Sequence, residues 1–208
     1  MKRYILLAFA IAAFSINASA FKEKEIQVRS EKMNKDVPVT VITPDGYKKN
    51  KEYPVIYLLH GFSGCEEDWL YGSHIFKLAR DNNLAVVMPA GENSFYTNQK
   101  RKGVDYGRFV AEELVKATRR MLPLSDKRED TFIGGLSMGA FGSLLLGSSF
   151  ADTFGAIIGL SGVYDLRNPV FKQVLLSPTG FEKEYYDDLC SMLIFDAVIY
   201  NSDRHFGN

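Results

Sequence analysis

The chain has 208 residues and 46% hydrophobic content, enough for one domain with a sizeable core. Its 25 Lys and Arg balance its 25 Asp and Glu, which argues against a nucleic-acid or anionic-membrane partner held by bulk charge. The two cysteines, Cys65 and Cys190, cannot build a disulfide framework and show no metal-ligand spacing, so no metal site is expected.

Met1-Lys2-Arg3 is a short basic start, residues 4–14 are an apolar run too short to span a bilayer comfortably, and Ala18-Ser19-Ala20 is an A-x-A cleavage site. This layout predicts a signal peptide over 1–20, a mature N-terminus at Phe21, a periplasmic or secreted location, and no stable membrane insertion after cleavage. Residues 37–42 (VPVTVI) are β-branched and run into the turn signal Thr43-Pro44-Asp45-Gly46. Residues 54–59 (PVIYLL) form a continuous apolar run, as expected of a central strand covered on both faces, and end at His60-Gly61-Phe62-Ser63-Gly64.

Helical spacing follows over 68–82, with Trp69, Ile75, Phe76, Leu78 and Ala79 on the apolar side, and residues 84–88 (LAVVM) read as another buried strand stopped by Pro89-Ala90-Gly91. An amphipathic helix is predicted over 106–122, a short strand over 131–133, a helix over 138–148 and a further strand over 154–160 (FGAIIGL). Strands alternating with helices indicate an α/β fold with a largely parallel sheet.

Gly135-Leu136-Ser137-Met138-Gly139 has the G-x-S-x-G spacing of a nucleophile elbow. In such an elbow a serine sits on a sharp strand-to-helix turn, and its neighbours two residues away must be small. A serine at that point starts a helix, where the N–H of the next residue faces a developing oxyanion. The required second donor comes from another loop, and His60-Gly61-Phe62, directly after a buried strand, is of the right kind. The chain has three histidines. His60 begins the oxyanion loop and is expected to support it together with Gly61. His74 falls on a surface helix, and only His205 follows Ser137, as triad order in this type of site requires.

YLLHGFSGCEEDW (57–69), MPAGENSFYTN (88–98) and IGGLSMGAFGSLLL (133–146) resemble the esterase D family of α/β hydrolases, from about residue 26 to residue 166. The resemblance implies a three-layer α/β-hydrolase fold with a mostly parallel sheet. It implies Ser137 as catalytic nucleophile, the backbone N–H groups of Phe62 and Met138 as oxyanion hole, and residues 93–96 lining the acyl or leaving-group side of the cleft. Asn98 stands where that family often has aspartate. The implied activity is carboxylic ester hydrolysis without a cofactor, on a small-molecule or glycan-linked acetyl or feruloyl ester. In that family further strand ends after 154–160 carry the triad acid and base, so the C-terminal strands are expected to be missing here.

The C-terminal segment from about residue 181 to 208, and above all its stretch FDAVIYNSDRHFGN (195–208), instead resembles the catalytic loop of HipA-like kinases, with Asp203 and Asn208 at D-x-x-x-x-N spacing. The rest of a kinase is not legible. The expected organisation is a signal peptide (1–20), a truncated esterase domain (21–170) and an atypical C-terminal segment (171–208), with a change of family between residues 166 and 181. Asp203, or Asp196, with His205 is the remaining candidate for triad acid and base. The alternatives to an esterase are a HipA-like serine/threonine kinase fragment and a catalytically dead ester- or glycan-binding domain.

Overall fold

A computed structural model describes residues 21–44, 51–99 and 103–164. Six strands form one sheet: β1 (Phe21–Ser30), β2 (Lys35–Pro44), β3 (Val55–Leu59), β4 (Ala85–Pro89), β5 (Thr131–Leu136) and β6 (Ala156–Leu160), in the order β1-β2-β4-β3-β5-β6. The β1–β2 and β2–β4 pairs are antiparallel, and β4–β3, β3–β5 and β5–β6 are parallel.

The continuous apolar runs sit at the centre, as their composition dictates: every residue of β3 and of β4 is buried. Their side chains alternate between two cores. Val55, Tyr57 and Leu59 of β3 point to one, shared with the helices α3 (Tyr106–Arg108), α4 (Val115–Met121) and α5 (Met138–Ser149). Ile56 and Leu58 point to the other, under α1 (Asp68–Gly72) and α2 (Ile75–Asp81). Each fully buried aliphatic side chain contributes about 1.5–3 kcal/mol of transfer free energy, which holds the three layers together. The architecture is thus a three-layer α/β fold with a largely parallel, mixed sheet.

Three local expectations need correction. The helix expected over 68–82 is broken: Ser73 is extended (φ −150°, ψ 179°), its hydroxyl donates to the Trp69 carbonyl, and it accepts the Ile75 N–H. A serine that satisfies the backbone on both sides competes with the helical ladder. The helix over 106–122 ends at Met121, which is exposed, and its middle, Phe109–Leu114, is π-helical. There Phe109 and Leu114, and likewise Val110 and Val115, are buried pairs five residues apart, a spacing that suits the wider turn. The strand expected from 154 begins at Ala156, while Phe154 is buried with its ring edge-on to Tyr57, centroids 6.1 Å apart.

β1 has no counterpart in the sequence reading. It is an outer strand whose Lys22, Glu23, Lys24 and Glu25 carry charge on both faces, so the usual apolar alternation is missing. At the opposite side β6 is the outermost described strand, and Ile157, Ile158 and Leu160 are exposed. The expected loss of C-terminal strands and the leader at 1–20 both concern residues outside the described ones.

Candidate active site

Ser137 joins β5 to α5 with φ 55° and ψ −111°, a left-handed conformation that costs a non-glycine residue of order 1–3 kcal/mol. Packing enforces it. A Cβ on Gly135 would lie 2.4 Å from the Gly139 carbonyl, and one on Gly139 would lie 2.3 Å from the Leu59 carbonyl oxygen and 2.7 Å from that of His60. The two glycines of the motif therefore let the elbow close on itself and then seat against the end of β3. That contact brings Ser137 beside the loop that follows β3: a Cβ on Gly61 would sit 3.8 Å from the Ser137 Cβ. Ser137 itself is half-buried, while Leu136 before it and Phe62 on the loop after β3 have exposed side chains.

The first intrahelical bond of α5 runs from the Phe141 N–H to the Ser137 carbonyl at 3.1 Å. The Met138 N–H precedes that bond, so it is one of the donors a helix start leaves unpaired within the helix. It lies next to Ser137 at the positive end of the α5 dipole.

The orientation of the Phe62 N–H follows from its peptide plane. The Gly61 carbonyl, in the same plane, accepts from His60 Nδ1 at 2.7 Å and from the Gly64 N–H at 3.1 Å. In a trans peptide the N–H points opposite the carbonyl, so pinning the Gly61 oxygen aims the Phe62 N–H the other way. His60 can do this only in one protonation state. Its Nε2 accepts from the Gly91 N–H at 2.8 Å and is therefore unprotonated, which leaves the single ring proton on Nδ1. Burial lowers the His60 pKa, against smaller raising effects of the Gly61 carbonyl, Asp68 and Glu66. With both nitrogens committed and the side chain 1% exposed, His60 supports the loop and is not free to take a proton from Ser137.

The stretch 91–97 buttresses this loop from beneath. Tyr96 is buried with φ 55°, and its hydroxyl donates to the His60 carbonyl at 3.3 Å. Its ring fills space that a side chain at Gly91 or Gly142 would need. Phe95, φ 54°, is buried between Phe62 and Phe141, with centroids 6.0 and 5.8 Å away. Of residues 93–96, expected to line the acyl or leaving-group side of the cleft, Ser94, Phe95 and Tyr96 are buried and support the loop. Sequence reasoning missed these roles; the signal for them was an aromatic pair, Phe95-Tyr96, four residues after the Pro89-Ala90-Gly91 stop.

His74 precedes α2, on the face of the sheet opposite α5. Asn98 Oδ1 accepts the Arg108 N–H. Asp196, Asp203 and His205 lie outside the described residues. Among the described residues no cluster of three or more His, Cys, Asp or Glu could hold a metal, and no helix is long and apolar enough to cross a membrane.

A serine elbow between β5 and α5, with a His-Gly loop after β3 in a mixed sheet of this order, defines the α/β-hydrolase class. Within that class the chain belongs to the esterase family, whose model, described as "Putative esterase", matches residues 30–192. It is 39% identical over 146 residues to an acetyl esterase of Caldicellulosiruptor saccharolyticus, an alignment covering 66% of this chain and 54% of that protein. It is 26% identical over 149 residues to the iron(III) enterobactin esterase of Escherichia coli K12, covering 68% and 36%. The chain thus spans about half or less of the length of these curated relatives. Among solved structures, the Staphylococcus aureus fluorophosphonate-binding serine hydrolase FphF superposes with a TM-score of 0.69 at 25% identity, covering 87% of this chain and 75% of that one. The S-formylglutathione hydrolase FrmB of the same species gives 0.66 at 26% identity, covering 84% and 68%.

Proposed function

We propose that this protein is a carboxylic ester hydrolase that transfers an acyl group to Ser137 and then to water. The observation that carries the reading is the juxtaposition at Ser137: a strained serine packed against the loop that aims the Phe62 N–H, with the Met138 N–H beside it. In the reaction the serine oxygen forms a bond to the ester carbonyl carbon, and the carbonyl oxygen takes up negative charge between the two N–H donors. Collapse expels the alcohol and leaves an acyl-serine, which water then cleaves. A general base must take the serine proton. His60 is committed elsewhere, so the base and its acid partner are assigned to residues outside the described ones, with His205 and Asp203 or Asp196 the candidates.

Small acyl or glycan-linked acetyl and feruloyl esters are the proposed substrates. Support comes from the acetyl esterase relative and from the likeness to the CE1 ferulic acid esterase of Anaeromyces mucronatus in complex with ferulic acid (TM-score 0.58, 25% identity, covering 70% of this chain and 60% of that one). Labelling of Ser137 by a fluorophosphonate probe, lost in Ser137→Ala, tests the nucleophile. A site without its base still retains roughly 10³ to 10⁴-fold acceleration over water, so slow turnover of activated aryl acetates fits an incomplete triad. Brisk turnover lost on His205→Ala would establish His205 as base.

Export follows as a proposal from the leader-like layout of residues 1–20, and an intact Met1 on protein recovered from the envelope or medium would overturn it. The division of the chain near residue 170 is also a proposal. The esterase match reaches residue 192 and so overlaps the kinase-like segment that begins at about residue 181, but it stops short of FDAVIYNSDRHFGN (195–208), whose likeness rests on its own sequence. Absence of binding at millimolar ATP would remove the kinase reading.

A further inference from the structure

Phe62 is flanked by two peptide planes, and its φ and ψ are set once both are fixed. The first, Gly61–Phe62, is held through its carbonyl by His60 and Gly64. The second, Phe62–Ser63, carries the Ser63 N–H, which donates to Asn93 Oδ1 at 2.7 Å. Ser63 holds φ 62°, a left-handed conformation that a serine does not adopt without support. Asn93 supplies that support from the same 91–97 stretch that carries the Gly91 N–H to His60 and the Phe95 ring to Phe62.

We propose that Asn93 is a positioning residue: by accepting the Ser63 N–H it fixes the second plane at Phe62 and so keeps the Phe62 N–H trained on the oxyanion. The proposal rests on the esterase reading of Ser137. It requires an acceptor oxygen at position 93, and it does not require the carboxamide nitrogen. A side chain of the same shape without the acceptor would leave the Ser63 N–H to water. The turn at Ser63 would then relax toward ordinary backbone conformations, and the Phe62 plane would move with it.

Full-length wild type, Asn93→Leu and Asn93→Asp decide this with two readouts. One is amide hydrogen exchange at Phe62 and Ser63, and the other is the rate of fluorophosphonate labelling of Ser137. In Asn93→Leu the Ser63 amide should exchange roughly tenfold faster, as for loss of one hydrogen bond, and labelling should slow by about the same factor, with the melting temperature unchanged. Asn93→Asp keeps the acceptor and should restore slow exchange. Unchanged Ser63 exchange in Asn93→Leu would overturn the pinning, and faster exchange with wild-type labelling would overturn its bearing on the oxyanion. A wild-type chain that takes no label would overturn the esterase reading instead, while the exchange comparison would still decide whether Asn93 holds the turn.

Discussion

The Ser137 N–H donates to the Leu160 carbonyl at 2.9 Å, so the serine elbow hangs from the end of β6 as well as closing on β3. The strand pairing leads directly to this bond: Gly135 stands opposite Gly159 and Leu136 opposite Leu160. A serine tied on both sides cannot relax its φ of 55°, and the strain is held in place by the sheet.

Removing the side chain at this point should therefore stabilise the fold. Ser137→Gly is expected to be about 1 kcal/mol more stable than Ser137→Ala, because only glycine adopts this backbone without strain, offset in part by its greater freedom when unfolded. Both variants should lose fluorophosphonate labelling. Denaturant midpoints for the two variants measure the difference, and equal midpoints would show that the turn is not strained.

Two glycines near Ser137 should respond in opposite ways to alanine. Gly139→Ala drives a methyl to 2.3 Å from the Leu59 carbonyl oxygen, a backbone atom at the end of a buried strand, and should cost about 1–3 kcal/mol or prevent folding. Gly61→Ala meets nothing closer than the Leu136 carbonyl oxygen at 3.6 Å and should leave the melting temperature nearly unchanged. Its methyl would stand beside the Ser137 Cβ, so labelling and turnover should fall while stability does not. Thermal melts alongside labelling rates separate the two.

Much of this arrangement is legible in the sequence, for physical reasons. The runs at 54–59 and 84–88 announce buried central strands because nothing polar interrupts them, and the G-x-S-x-G spacing announces a close approach of backbone to backbone. The break at Ser73 depends on one hydroxyl bonding in two directions, and the π turn depends on which residues meet the sheet. Neither shows in a helical pattern. The support given by Asn93 and Tyr96 to the loop at 60–64 joins segments some thirty residues apart through side-chain-to-backbone bonds, which leave no periodic trace.

The pH dependence of stability should carry the His60 signature. Its pKa is lowered in the fold, so between the native and unfolded pKa values the unfolded chain binds the extra proton. The contribution is present above the unfolded value of about 6.5 and is lost as pH falls from there through the native pKa. Denaturant midpoints between pH 4 and 8 should show a rise with pH that Asn substitution at His60 flattens. Below the transition a protonated Nε2 would repel the Gly91 N–H, so labelling of Ser137 should fall over the same range.

At the alkaline end Tyr57 provides a second test. Burial pushes its phenol up to about 12, against smaller lowering effects of Thr118 and Arg119. Its hydroxyl meets Thr118 Oγ1 at 2.8 Å, and Thr118 in turn donates to the Leu114 carbonyl. The unfolded chain releases this proton first, so stability should hold below pH 10 and decline from 10 toward 12. Tyr57→Phe should cost about 1 kcal/mol at neutral pH, the size of one hydrogen bond, and should remove part of the alkaline decline. Burial also raises Tyr96 and Tyr106, which contribute to the same decline. An unaltered pH profile in Tyr57→Phe would contradict the assignment.

The π-helical stretch between α3 and α4 sets the phase of everything on either side of it. An α-helix turns about 100° per residue, and a π turn accommodates one more residue without breaking the rod. Tyr106 and Thr118 can therefore both face the sheet, although an uninterrupted α-helix carrying the same residues would rotate one half against the other. Forcing Phe109–Leu114 into regular α winding with all its residues kept would turn Tyr106 by about 100° relative to Thr118, away from Lys35, whose ammonium lies over its ring, whereas deleting one residue from the stretch would restore regular winding and leave both on the sheet side. The extra residue thus works as a clutch: it uncouples the rotational setting of the helix end beside the 91–97 stretch from that of the end clamped to β3.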